Sequence, residues 1–243
     1  MLEILYEDSS LIVVWKPVGL ESQSSRGFGA DMVSELRRHI HKLSTKPGEP
    51  YVGVIHRLDK PVSGIMVYAK DKKAAAALSS QVSGGGMKKK YLAVLCGKPV
   101  DSVDKYVDYL LKDEKSNTSR IVDKGITGAK RAELICRTWM SRETDGYGTL
   151  TLAQIELLTG RHHQIRVQMA GHGFPLWGDN RYNPQFSQGQ DGQGLPARSF
   201  PRPSIALSAY SLAFTHPATR ERMHFQRLPD GEIFGLFSEA LPG

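Results

Sequence analysis

One carboxylate sits inside a basic, turn-forming run, His56-Arg57-Leu58-Asp59-Lys60-Pro61-Val62-Ser63-Gly64, which leads straight into the apolar segment Ile65-Met66-Val67-Tyr68-Ala69. A carboxylate on a loop beside a rigid strand is suited to catalysis, and Asp59 is therefore a candidate reaction centre. The plainer alternative is an Asp that caps a turn and pairs with Arg57 or Lys60. A second run, Leu157-Leu158-Thr159-Gly160-Arg161-His162-His163-Gln164-Ile165-Arg166-Val167, ends a strand at a Gly and begins a short basic helix, a junction able to hold an anion. Arg166 can reach from that helix to a carboxylate elsewhere and keep it ionised, or it can simply be solvated. The third run, Lys88-Lys89-Lys90-Tyr91, joins phosphate attraction to an aromatic face on which a base can stack. It reads equally well as a lysine-protected strand with Tyr91 in the core.

Other chemistries lack their residues. His162, His163 and His172 with Cys96 or Cys136 do not have the spacing of a zinc site, and no metal is expected. Gly84-Gly85-Gly86-Met87-Lys88 precedes a strand rather than a helix, so it is not a phosphate loop. Neither a Gly-x-Gly-x-x-Gly after the first strand nor a Gly-x-Ser-x-Gly elbow is present. No cofactor is implied.

The elements that must position these residues follow from periodicity. Residues 2 to 6 and 11 to 15 are apolar runs around Glu7-Asp8-Ser9-Ser10 and read as a hairpin. Helices are expected over 30 to 42, 71 to 82 and 162 to 171, the second started by Asp71 and stopped by the glycines at 84 to 86. Strands are expected at 65 to 69, 88 to 95, 104 to 110, 118 to 122, 129 to 138, 149 to 157, 205 to 214 and 222 to 227. Two loops, through 29 and from 183 to 203, carry no periodicity. Many strands and about three helices without regular alternation indicate an α+β fold, a large mixed, mostly antiparallel β-sheet flanked by helices and loops, in a single domain over 1–243. The net charge of +7, from 32 Lys and Arg against 25 Asp and Glu, points to a polyanionic partner, nucleic acid first. Two well-separated cysteines, no export signal and no apolar run of membrane-spanning length suit a soluble cytoplasmic chain.

Together these segments resemble the RluA-type pseudouridine synthase family. Leu5-Tyr6-Glu7-Asp8 with Lys16-Pro17-Val18-Gly19 is similar to the family's first motif, and the Asp59 run to its His-Arg-Leu-Asp signature. Lys90-Tyr91-Leu92-Ala93-Val94 is similar to its tyrosine motif, and Gly160 to Val167 to its Gly-Arg-Thr-His-Gln-Ile-Arg-Val segment. The resemblance implies a pseudouridine synthase catalytic fold with a basic RNA-binding cleft and no N-terminal S4 module. It also implies isomerisation of uridine to pseudouridine in ribosomal or transfer RNA without metal or cofactor. Asp59 would be the catalytic carboxylate acting on a flipped-out uridine, and Tyr91 would lie against the uracil. Arg166 would pair with Asp59, Arg57 would enter the stack the base leaves, and His56 and Leu176 would join in substrate binding. The expected partner is structured RNA, with no protein partner and a monomeric state. Val62, His162, Gln168 and Trp15 depart from the family's usual residues. A different class, an RNA-binding or folding protein with vestigial catalysis, is the alternative.

Overall fold

A computed structural model describes residues 2–24, 30–43, 48–187 and 204–241. The chain opens with β1 (Glu3–Glu7), β2 (Leu11–Lys16), α1 (Met32–Leu43), β3 (Gly53–Val54), β4 (Ser63–Ala69) and α2 (Lys72–Ser83). A run of strands follows, β5 (Lys88–Cys96), β6 (Val103–Asp113), β7 (Thr118–Val122), β8 (Lys130–Thr144) and β9 (Gly148–Leu157), and then α3 (Gln164–Gly171). β10 (Leu207–Thr215), β11 (Arg222–Gln226) and the single turn α4 (Glu232–Gly235) complete it. No helix among the described residues is long and apolar enough to cross a membrane.

These elements form two compact units, and each is assembled from two stretches of chain. The first comprises Met1–Lys90 and Ser208–Pro229. Its strands run β1-β2-β4-β10, with β3 also on β4 and β11 on β10. The hairpin expected at the N-terminus is β1 antiparallel to β2, and β2 is antiparallel to β4. β10 returns parallel to β4, setting Ser208 beside Ser63 and Ala209 beside Gly64. That one parallel pair makes the sheet mixed. Alternation puts Leu11, Val13, Trp15, Ile65, Val67 and Ala69 into one cluster with Ala74 and Leu78 of α2 and Leu212 and Phe214 of β10. Ile12, Val14, Met66 and Tyr68 point the other way and are buried too, which is why β2 and β4 read as continuous apolar runs. Asp71 caps α2 by accepting from the Ala74 amide, and Gly84 ends it.

The second unit comprises Tyr91–Leu207 and Asp230–Gly243, with strand order β5-β9-β8-β6-β7. The pairs β8–β9, β8–β6 and β6–β7 are antiparallel, and Asp145-Gly146 lies in the turn of the long β8–β9 hairpin. Leu110, Ala132 and Val167 cluster with Tyr182, bringing α3 onto β6 and β8. Three elements depart from expectation. α3 begins at Gln164 because His163 is left-handed, with φ 52°, and cannot continue a helix backwards. β3 is too short to leave a pattern, and β8 extends through a bulge between Thr138 and Met140. In the expected loop 183 to 203, Pro184–Phe186 forms a turn of 3-10 helix; residues 188–203, like 25–29 of the earlier loop, lie outside the described residues.

Candidate active site

The first unit carries Asp59 on the turn that enters β4. The Val62 amide donates to the Asp59 carbonyl at 3.0 Å, closing the turn that Lys60-Pro61 signals. Both neighbours of Asp59 are fixed through their backbones. Ser22 Oγ accepts from the Leu58 amide at 3.0 Å and donates to the Leu58 carbonyl at 2.8 Å. On the other side, the Lys60 carbonyl accepts from the Gly19 amide at 2.9 Å and from Lys16 Nζ at 3.3 Å. Lys16 itself is fully buried and also donates to the carbonyls of Pro17 and Leu20, at 3.0 and 2.7 Å. Burial pulls its ammonium down to about 8, and the Asp59 carboxylate acts against that fall. The Lys16-Pro17-Val18-Gly19 segment is thus the floor of the Asp59 turn.

Arg57 is exposed and Leu58 buried, as alternation through an extended segment requires. His56 accepts from the Val67 amide at Nε2, 3.3 Å away, so in its neutral form the proton sits on Nδ1. Nδ1 is buried and finds no partner among the described residues. Burial, with Lys89 nearby, pushes the imidazole down to about 3, and His56 is neutral at physiological pH. Val62 and Trp15, two of the unusual residues, are core positions here; the Arg227 guanidinium lies 4.0 Å over the Trp15 ring.

The second unit carries Tyr91, Arg166 and Leu176. Tyr91 is buried on β5, and Leu176 is fully buried, bridging Leu95 of the same strand. Arg166 is buried on α3 and holds Asp179 in a bidentate pair, Nε to Oδ2 at 2.8 Å and Nη2 to Oδ1 at 2.7 Å. Burial alone would raise the Asp179 carboxyl, but the Arg166 pair and the Arg181 and Tyr182 amides bring it below the ordinary carboxylate range. The Tyr182 ring lies 5.1 Å from the Arg166 guanidinium carbon. Its hydroxyl accepts from the Ser119 amide at 2.8 Å and meets His163 Nδ1 at 2.7 Å. His162 stacks on His163 with ring centroids 3.7 Å apart and reaches Ser119 Oγ at 2.9 Å. Gln164 secures the start of α3: its Oε1 accepts from Thr159 Oγ1 and the Arg161 amide, and its Nε2 donates to the Glu133 carbonyl. Gln168 is buried and donates to Asp108 at 2.7 Å.

The sequence reading did not single out Ser22, Gln164, Asp179 or Tyr182. Asp179 and Tyr182 stand three apart, a local signal that Asp179 receives the Tyr182 amide, whereas Ser22 meets Leu58 across 36 positions and leaves no local trace. Among the described residues, no group of three or more His, Cys, Asp or Glu side chains is arranged to hold a metal ion.

Residues 10–171 match the family model described as RNA pseudouridylate synthase. The chain is 32% identical over 228 residues to a Bacillus subtilis (strain 168) protein named Uncharacterized RNA pseudouridine synthase YlyB, covering 93% of this chain and 68% of that protein. It is likewise 32% identical over 228 residues to Ribosomal large subunit pseudouridine synthase C of Escherichia coli (strain K12), covering 92% and 65%. With Ribosomal large subunit pseudouridine synthase C of Haemophilus ducreyi it shares 33% over 220 residues, 90% of this chain and 63% of that protein. The chain therefore spans about two thirds of the length of these relatives. Human RNA Pseudouridylate Synthase Domain Containing 4 has the same fold, with TM-score 0.74, 23% identity and coverage of 97% and 92%.

Proposed function

The chain belongs to the RNA pseudouridylate synthase family and is an isomerase, and from that premise we propose that it converts uridine to pseudouridine in ribosomal RNA with Asp59 as the catalytic carboxylate. The reaction breaks the bond from ribose C1′ to N1, turns the uracil, joins C1′ to C5 and releases the C5 proton while N1 gains one. Atoms and electrons balance within the nucleoside, so neither oxidant nor cofactor is needed.

The reading rests above all on the double clamp of the Asp59 turn, with Ser22 on Leu58 and Lys16 with Gly19 on Lys60. A turn so fixed leaves the Asp59 backbone little freedom to lose when the substrate arrives. Asp59 acts on the ribose or the base. The exposed Arg57, two positions earlier, enters the stack vacated by the flipped uridine, offsetting an unstacking cost of a few kcal/mol. Tyr91, Arg166, His56 and Leu176 are proposed as the remaining residues of substrate binding, His56 as a neutral imidazole held by the Val67 amide of β4. Ribosomal RNA is favoured over transfer RNA because relatives at 32–33% identity carry large-subunit names.

Asp59→Asn keeps the shape and removes the charge. It is expected to abolish pseudouridine formation on large-subunit ribosomal RNA while leaving the thermal midpoint within about 2 °C, less than a 1 kcal/mol change would move it. Full activity in that variant would overturn the assignment. Mapping pseudouridines in ribosomal and transfer RNA from a deletion strain identifies the missing site.

A further inference from the structure

The roles proposed above leave a second basic centre unused. Met32, Val33 and Leu36 bury one face of α1, while Arg38, His41 and Lys42 are exposed and Arg37 is half-buried. Arg37, Arg38, His41 and Ser34 line one side of a cleft of about 510 Å³, opposite Gly48, Glu49 and Pro50. Each guanidinium there has one carboxylate partner, Glu49 for Arg37 and Glu35 for Arg38, and the donors these pairs leave over favour an anion. Arg38 Nη1 binds Glu35 at 2.7 Å and keeps its other donors at a side chain 58% exposed. Arg37 Nη1 reaches Glu49 only at 3.4 Å, and Arg37 Nε is buried with no acceptor among the described residues. A buried donor without an acceptor is costly, and the described residues leave this one on Arg37 unfilled.

We propose that the α1 cleft holds the phosphodiester backbone of the substrate RNA, with Arg37 and Arg38 donating to non-bridging phosphate oxygens and Ser34 and His41 beside them. This rests on the reading of the chain as an RNA-modifying enzyme and adds an anchor for a strand segment away from the reacting uridine. Guanidinium forks suit phosphate oxygens, and contacts to the backbone set register without reading sequence. The cleft therefore contributes affinity common to any RNA rather than the choice of uridine.

The test uses the full chain and a transcript of large-subunit ribosomal RNA. Arg37→Gln with Arg38→Gln is expected to raise KM about tenfold near 0.15 M salt, leave kcat within about twofold, and flatten the slope of log affinity against log salt by about one to two. Arg38→Gln alone, at an exposed side chain whose loss does not threaten folding, is expected to flatten the slope by about one. Replacing both by Lys should restore most of the affinity, because phosphate accepts a point charge. Unchanged KM and slope in the double variant would overturn the proposal. If the wild-type protein binds the transcript but forms no pseudouridine in it, the ribosomal substrate is wrong, and the salt slopes still decide the cleft.

Discussion

Lys16 is completely buried, yet its ammonium is surrounded by three carbonyls, and one of them, that of Lys60, follows Asp59 directly in the chain. Its pKa of about 8 in the folded protein lies below the ordinary 10.5. Holding this charge inside therefore costs stability at neutral pH, and the cost shrinks as pH rises from about 8 towards 10.5. Over the same range the positive charge facing Asp59 disappears. Activity is thus expected to fall on the alkaline side with a midpoint near 8. Lys16→Met should abolish that limb, lower kcat more than KM, and lower stability by about 1–3 kcal/mol through the orphaned carbonyls. pH–rate profiles and denaturant unfolding measure both; an unchanged alkaline limb in the variant would remove Lys16 from the account. At this scale the sequence was legible where residue type and local order carried the signal. Asp59, Tyr91 and Arg166, the proposed site residues, stand in three of the four ordered motifs, whereas the Asp179 that holds Arg166 and the Ser22 that holds Leu58 are defined by contacts made only after folding.

β4 links the Asp59 turn to the sheet of the first unit, and Gly64 is the position where it meets β10. With φ at +142°, an added Cβ would stand 2.5 Å from the Ala209 amide and 2.6 Å from its carbonyl oxygen, backbone atoms that cannot move aside. Gly64→Ala is expected to destabilise the protein by at least about 2 kcal/mol and to reduce activity through the displaced turn, although no proposed site residue is touched. Thermal unfolding and single-turnover rates check this, and a wild-type melting curve would refute the close approach. The same strand explains which elements were readable. α1 and α2 each bury one face, so their spacing shows in the sequence. α3 buries Gln164, Ile165, Arg166, Val167, Gln168 and Met169 all round, and a helix without an exposed face has no periodicity to read. Its start was displaced by the left-handed His163, a conformation that histidine favours only weakly and that spacing does not reveal.

For the molecule as a whole, the two units interleave: the first is begun by Met1–Lys90 and finished by Ser208–Pro229. A shift in composition marks a boundary only where a unit is one continuous stretch, and here no single boundary exists. Leu212 and Phe214, from the returning stretch, belong to the same core cluster as Val13 and Val67. A chain ending at Leu207 keeps every proposed site residue and is nevertheless expected to be inactive, with the β2 and β4 amides exchanging hydrogen as freely as in an unfolded chain. A chain ending at Pro229 should retain their protection. Hydrogen exchange distinguishes the two, and protected β4 amides in the shorter chain would contradict the interleaving. The parallel seam between β4 and β10 also imposes an order on biosynthesis. At roughly 5–20 residues per second, the nascent chain exposes Asp59 on the order of ten seconds before β10 exists to finish the sheet beneath it. Activity is therefore expected only once β10 has been added to the growing chain.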